Sequence, residues 1–346
     1  MNKIDIKFKI VTPCIMSGAN QKLAELRAPS IRGQLRFWFR VMGGTIEEEK
    51  TIFGGIGKGD EGRASSVVVR IKTARGDIKT ISDQTMNNIL PEVRYDYFLW
   101  PLRNSSNARG VIKENQTIEL QISNLKNLDE QIGEKTIKAF LLLGSLGTRS
   151  RRCYGSIFPE KVVFNNKEWI IPANIEQFKS EIKELLKDTN SKIIQIDVAK
   201  QSWKDAICSC SNYLKIFRSG GGQFATPSEW GKSDHDLMFQ GNYTDEIYRP
   251  AIGLPYSTKY YKADVNGYKR LASPVLFKII QFQDKYIPIA IFLKDYFIPE
   301  NTIVNIVDNR NSRNTKNVNI SHDLLNEMMK ENSKYWDNAK VLFDSK

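Results

Sequence analysis

Ala28-Pro29-Ser30-Ile31-Arg32-Gly33-Gln34-Leu35-Arg36-Phe37-Trp38-Phe39-Arg40 is the stretch on which the fold reading turns. Ile31, Leu35, Trp38 and Met42 recur at helical spacing and make one buried stripe, with Trp38 in the core. Phe37 and Phe39 fall off that stripe, which leaves one of them for a sheet edge or a neighbouring subunit. Pro29-Ser30 starts the helix with Ser30 as N-cap, and Gly43-Gly44 ends it. Upstream, Ile4-Asp5-Ile6-Lys7-Phe8-Lys9-Ile10 alternates as a half-buried strand does, closed by Thr12-Pro13 and Ser17-Gly18. Downstream, Phe53 to Gly59 reads as a mobile Gly-rich loop. Ser66–Ile71, Tyr95–Trp100 and Thr117–Ile122 read as strands. Glu134–Leu143 is a helix, and Ser156–Phe158 with Lys161–Phe164 supplies a strand after it. Strands that follow one another without an intervening helix favour the split βαβ, ferredoxin-type sandwich over a doubly wound sheet.

The second half echoes this order. A connecting segment carries a helix over Ile175–Leu186. A strand (Ile193–Ile196) and a helix from Ser202 to about Phe217 follow, and Gly220-Gly221-Gly222 breaks the chain. Residues 223–270 read as a polar, irregular insertion. Ser273–Ile280 and Tyr286–Leu293 form a hairpin around Gln283-Asp284, and a closing helix is expected from Leu324 to about Leu342. With 346 residues, more than one core usually organises, the chain reads as α+β. Two tandem ferredoxin-like (RRM-like) domains, 1–168 and 169–346, with helices on one face of antiparallel sheets, are expected from a diverged internal duplication.

The net charge is +12, and it is uneven: residues 1–173 hold 27 Lys+Arg against 18 Asp+Glu, residues 174–346 hold 24 against 21. An excess concentrated in one half points to a polyanion-binding face. No apolar run suits a signal peptide or a membrane span. The four cysteines (Cys14, Cys153, Cys208, Cys210) have neither disulfide-framework nor zinc spacing and read as reduced thiols of a cytoplasmic protein. No metal or cofactor is expected.

No Asp or Glu occurs between Glu25 and Glu47, or between Glu134 and Glu160. Within the first gap, Arg32, Arg36 and Arg40 recur every turn along one helix face, a spacing that can follow an RNA backbone. The helix N-terminus near Ser30 adds a phosphate seat. Within the second gap, Gly144-Ser145-Leu146-Gly147-Thr148-Arg149-Ser150-Arg151-Arg152-Cys153-Tyr154-Gly155 combines glycines that let a backbone cradle an anion (Gly144, Gly147, Gly155) with three guanidiniums (Arg149, Arg151, Arg152). Tyr154 offers a ring for base stacking. No Gly-Lys-Ser/Thr makes it a Walker loop. The missing anions are expected to arrive from outside, as phosphate.

These runs carry a resemblance. Thr12-Pro13 with Ser17-Gly18, Ala24–Gly33, Arg36-Phe37-Trp38-Phe39-Arg40, Ile52-Phe53-Gly54, the Gly/Arg loop, Ala251-Ile252-Gly253-Leu254-Pro255 and Lys269–Phe277 together resemble the RAMP superfamily of CRISPR proteins. They are closest to the first-subunit family of the type III-B (Cmr) RNA-targeting complex, over roughly residues 5–295. The resemblance implies two ferredoxin-like domains, each with a Gly-rich loop near its end. It implies a subunit at the end far from the crRNA 5′ tag. Its partners would be the crRNA 3′ region, target RNA and the other RAMP subunits of a Cmr complex, in antiviral defence and with no membrane. Lys259 and Arg270 join the six arginines as implied RNA contacts. A second loop as rich in Gly and Arg is not visible in the C-terminal half, which puts a second phosphate loop there in doubt.

Some RAMP relatives are endoribonucleases that cut crRNA precursor or target RNA, so catalysis is the competing reading. Only His235 and His322 are present, and neither adjoins an Arg run as an acid-base group would have to. Asp60 and Asp77 are the loop acids to weigh. The reading is a non-catalytic RNA-binding subunit.

Overall fold

Alternation in the first strand, β1 (Lys3–Ile10), puts Ile4, Ile6, Phe8 and Ile10 inside and its lysines and Asp5 outside. The computed structural model describes residues 3–55, 62–90, 97–103, 109–123, 129–219, 227–241 and 244–345. After β1 come α1 (Ala28–Val41), β2 (Val68–Ile71), β3 (Gln116–Ser123), α2 (Glu130–Leu143) and β4 (Ile157–Phe164). The core strands run in the order β4-β1-β3-β2, each pair antiparallel. That is the ferredoxin-like sheet. Between β2 and β3 the chain makes an excursion that adds a small sheet from Thr80–Gln84, Arg109–Ile112 and Cys14–Ile15.

The second repeat has the same plan. β5 (Ser191–Gln195), α3 (Trp203–Arg218), β6 (Val275–Phe282), β7 (Lys285–Leu293), α4 (Asp323–Met328) and β8 (Lys340–Asp344) give the antiparallel order β8-β5-β7-β6. The hairpin turns at Gln283, whose φ is 53°. Both repeats are therefore ferredoxin-like, as the element order implies.

Several expectations are corrected. Ser30 is not the N-cap: Arg27 is, with no side-chain cap, and Pro29 and Ser30 lie inside the first turn. Tyr97–Leu99 and Trp100–Arg103 are helical turns rather than a strand, and residues 95–96 lie outside the described residues. The closing helix stops at Met328, because a left-handed Asn332 and a turn at Ser333–Trp336 intervene before β8.

The described part of 223–270 carries regular elements, where an irregular stretch was expected. It supplies a helix at Glu229–Gln240, capped by Ser228 and by a left-handed Gly241. It also supplies the strands Tyr256–Ser257 and Tyr261–Val265. Two excursions of the second repeat, one before β6 and one after β7, join in a third large sheet. There Tyr261–Val265 pairs with Ile303–Asp308, which pairs with Arg313–Ile320. Alternation in each strand places Ala263, Val265, Val304 and Ile306 inward.

Candidate nucleic-acid interface

The stripe of α1 is as expected: Ile31, Leu35 and Trp38 are buried, and Phe39 joins them against Phe53 at 5.7 Å. Phe37 stays half-buried at the junction of the two repeats, 6.2 Å from Tyr296 of the second. Arg32, Arg36 and Arg40 line the outer face. Their fate turns on a short helix that sequence reading passed over, Ile46–Phe53, capped by a Thr45/Glu48 capping box. The Gly43-Gly44 turn folds it back along α1. This brings Glu49, with only 7% of its side chain exposed, under two arginines. Arg36 Nε and Arg40 Nη1 donate to its carboxylate at 2.8 Å each. Burial opposes ionisation, yet the bonds from Arg40 and Arg36 outweigh it and hold the Glu49 carboxyl below its ordinary value.

The expectation that all anions come from outside is therefore corrected. An acid-free window counts neighbours in sequence, and Glu49 arrives from the next helix. One carboxylate for two guanidiniums still leaves an excess charge, and Arg32, half-exposed one turn earlier, has no ion-pair partner among the described residues. The phosphate seat at the helix N-terminus is corrected too: the amides of Ser30 and Ile31 both donate to Arg27 O.

The Gly/Arg loop packs tightly, mostly against this protein's own backbone. Gly147 (φ 81°) and Gly155 (φ 69°) take left-handed conformations. A Cβ on Gly155 would stand 2.0 Å from Leu146 O, and one on Gly144 would stand 2.4 Å from Phe140 O. The close approach these glycines permit is thus to the chain itself, not to a nucleic-acid backbone, which corrects their assignment as a phosphate loop. Thr12 explains its place beside the loop. Its hydroxyl donates to Cys153 O at 2.5 Å and accepts from Ser156 N at 2.9 Å.

The loop then crosses to the second repeat. Cys153 N donates to Phe277 O at 3.0 Å, and Phe277 N donates to Arg151 O at 3.1 Å. Arg152 donates to Val275 O at 3.0 Å and packs on the Phe277 ring. Burial first, then the nearby Arg218 and Arg149, lowers the Arg152 guanidinium to about 9, so it keeps its charge at neutral pH. Arg151 donates to Ser273 O and stacks over Phe37 at 4.8 Å. For Arg152 the RNA-contact expectation is corrected: its donors face β6. Tyr154 is fully buried, so base stacking on it is corrected as well; it is a core ring.

The helix row and the loop do converge. Arg40 stands near enough to Arg151 to disfavour its charge, and both face Tyr296. Arg218, at the end of α3, joins Arg149 and Arg152 on the other flank. Arg218 was missed, although an arginine ending a helix just before Gly220-Gly221-Gly222 repeats the pattern of the first half. Lys278, also missed, is wholly buried in β6 and donates to Leu141 O at 3.3 Å, at the C-terminal end of α2. Lys259 and Arg270 are exposed on other segments. Lys259 lies over Tyr260 by the third sheet, and Arg270 precedes Leu271, whose carbonyl accepts from Leu254 N.

Of the acid-base candidates, His235 stacks on Phe239 and His322 Nε2 lies 2.7 Å from Ile298 O. Asp77 is exposed in a short turn and Asp60 lies outside the described residues. Among the described residues no His, Cys, Asp and Glu side chains cluster as a metal site would need, and no helix is long and apolar enough to cross a membrane.

Tandem ferredoxin-like repeats, locked together through a Gly/Arg loop that ends the first, define a duplicated RRM-like protein with its basic groups at the junction. The chain belongs to the RAMP superfamily, whose family model matches residues 7–196. It is similar to the CRISPR system Cmr subunit Cmr1-1 of Pyrococcus furiosus, at 24% identity over 86% of this chain and 89% of that one. The crystal structure of apo Cmr1 from Pyrococcus furiosus superposes with a TM-score of 0.57 at 16% identity, covering 99% of both chains. A chain of the type III-B Cmr-beta complex bound to cognate target RNA superposes with a TM-score of 0.56 at 12% identity, over 86% of this chain and 96% of that one.

Proposed function

We propose that the chain is a non-catalytic RNA-binding subunit of a type III-B CRISPR effector ribonucleoprotein. It acts in the cytoplasm beside other RAMP subunits, contacts the crRNA 3′ region and helps capture target RNA. The likeness to Cmr1 proteins supports the assembly. The observation that carries the RNA contact is the surplus of guanidinium on α1 beside the junction, where Arg32, Arg36 and Arg40 have one carboxylate, Glu49, as ion-pair partner among the described residues. A ribose-phosphate strand supplies the missing negative charge. His235 is engaged with Phe239 and Asp236, and His322 with Phe297 and Ile298 O, which favours binding over cleavage.

Fluorescence anisotropy of a labelled single-stranded RNA against salt tests this. Arg32 and the one net charge of the Arg36–Arg40–Glu49 group on phosphates give a slope of about −1.4 in log affinity against log salt. Replacing Arg36 and Arg40 together by Ala should flatten it by about 0.7. An unchanged slope, or negligible affinity of the unaltered chain at low salt, refutes the reading. Site-specific RNA cleavage abolished in His235→Ala favours the nuclease instead.

A further inference from the structure

By the third sheet, on elements that carry none of the junction arginines, three rings are gathered at the surface. His235 and Phe239 are one helical turn apart, and their rings lie parallel, 4.4 Å between centroids with an 18° interplanar angle. Tyr260 meets Phe239 edge-on at 6.4 Å. Helix positions 237 and 238 point inward with Leu237 and Met238 buried, whereas Phe239 is 40% exposed. A single exposed Phe is ordinary. A parallel pair of rings, held by a third and open to water, is a preformed stacking surface.

Cations surround it. Lys232 is exposed on the same helix face as His235 and Phe239. Lys259 sits 5.5 Å over the Tyr260 ring. Asn309 ties the next loop to this one, donating through its amide to Tyr260 O and through Nδ2 to Thr258 O, both at 2.9 Å. That loop carries Arg310, exposed but paired with Asp308 at 2.7 Å. The opposing charges nearby are Asp236, 3.5 Å from His235 Nδ1, and Asp308 itself.

We propose that His235, Phe239 and Tyr260, flanked by Lys232 and Lys259, form a base-stacking platform for single-stranded RNA. It is a second contact, distinct from the phosphate-binding junction, and it rests on the reading that the chain binds RNA. Every base has a π face, so the platform takes unpaired nucleotides irrespective of sequence, while the lysines meet the backbone on either side. A duplex, whose bases are already stacked, gains nothing from it.

The test uses the full chain and single-stranded and duplex RNA of equal length. Phe239→Leu keeps the bulk and apolarity but loses the ring, and Phe239→Trp restores a larger one. Phe239→Leu should weaken single-strand binding by about 5- to 150-fold, with little change in the salt slope, because stacking releases no counter-ion. Phe239→Trp should bind as well as the unaltered chain, and duplex affinity should not move. RNA carrying 4-thiouridine should crosslink to the peptide 227–241 in the unaltered chain. Equal single-strand affinity for Phe239→Leu, the outcome if a protein partner covers these rings, overturns the platform. So does an equal loss in Phe239→Trp. If the arginine variants lose binding while Phe239→Leu does not, the platform fails and the proposed function stands. If the unaltered chain binds no RNA, both fail.

Discussion

Glu49→Gln separates a structural role of the α1 arginines from an RNA-binding one. Glu49 holds Arg36 and Arg40 with both carboxylate oxygens, and the three side chains together carry one net positive charge. Gln keeps one carbonyl oxygen but turns an amide toward the other guanidinium. The lost charged hydrogen bonding costs about 1–3 kcal/mol, which lowers Tm by several degrees at about 2–4 °C per kcal/mol for a unit of this size. Because the Glu49 carboxyl is held below its ordinary value, its stabilisation is present above the unfolded pKa of about 4.3 and is lost as pH falls. The Tm values of the two proteins should therefore converge in acid.

RNA binding should move the other way. With the competing carboxylate gone, the pair gains about one phosphate, so the salt slope steepens by about 0.7 and affinity at low salt rises. Glu47→Gln is the control. It removes the same charge from an exposed carboxylate on the same helix, loosely paired with Lys50 at 3.8 Å. Anisotropy between 50 and 300 mM salt, at about 0.7 in slope per added phosphate, resolves the difference. An unchanged slope in Glu49→Gln, or a change equal to that in Glu47→Gln, would show that Arg36 and Arg40 only fasten two helices together.

Three further outcomes follow from the packing. Tyr154→Ala empties a fully buried site and should cost about 3–5 kcal/mol in thermal or denaturant unfolding, while RNA affinity per folded molecule stays unchanged; a binding loss without destabilisation would return the ring to the RNA. Arg152→Ala removes the donor to Val275 O and should cost about 1–3 kcal/mol, with faster proteolysis at the junction, so unaltered protease resistance would show the contact to be incidental. Gly155→Ala, left-handed and against Leu146 O, should destabilise strongly, whereas Gly33→Ala on the open face of α1 should stabilise by about 1 kcal/mol, and equal Tm shifts for the two would contradict the account of the loop.

Both ferredoxin-like repeats were legible because their elements carry strong periodicities. β1 alternates over eight residues, and α1 repeats its stripe over three turns. The third sheet was also written in the sequence, though more faintly. Tyr261-Lys262-Ala263-Asp264-Val265 alternates cleanly, and Ser228 and Gly241 punctuate a helix. Polar outward residues hid these signals, and strands drawn from two distant excursions look isolated until they pair. The sequence singled out the arginines, and the structure brings Arg40 beside Arg151, but their partners were not foreseen. Charge bookkeeping along the chain cannot see Glu49 beneath Arg36, nor the carbonyls of Ser273 and Val275 that accept from Arg151 and Arg152. Nor can it separate a glycine that admits a ligand from one that admits its own chain, as Gly144 and Gly155 do.

The duplication is symmetric in fold and asymmetric in chemistry. The loop between α4 and β8, residues 329–339, stands where the Gly/Arg loop stands in the first repeat, and it contains neither Gly nor Arg. It packs inward instead: Trp336 Nε1 donates to Ile196 O at 2.6 Å, and Tyr335 lies 5.9 Å from Phe217. Its partner in the first repeat reaches outward and pairs with β6, the edge strand of the second sheet. An open edge is a template for unwanted pairing, and this one is covered by the loop. The same crossing brings Arg151 beside Arg40 and Arg152 beside Arg218, so groups from both repeats share one surface. A second Gly/Arg loop is unnecessary for that arrangement: a single loop closes the edge, fixes how the repeats sit, and concentrates the positive charge where they meet.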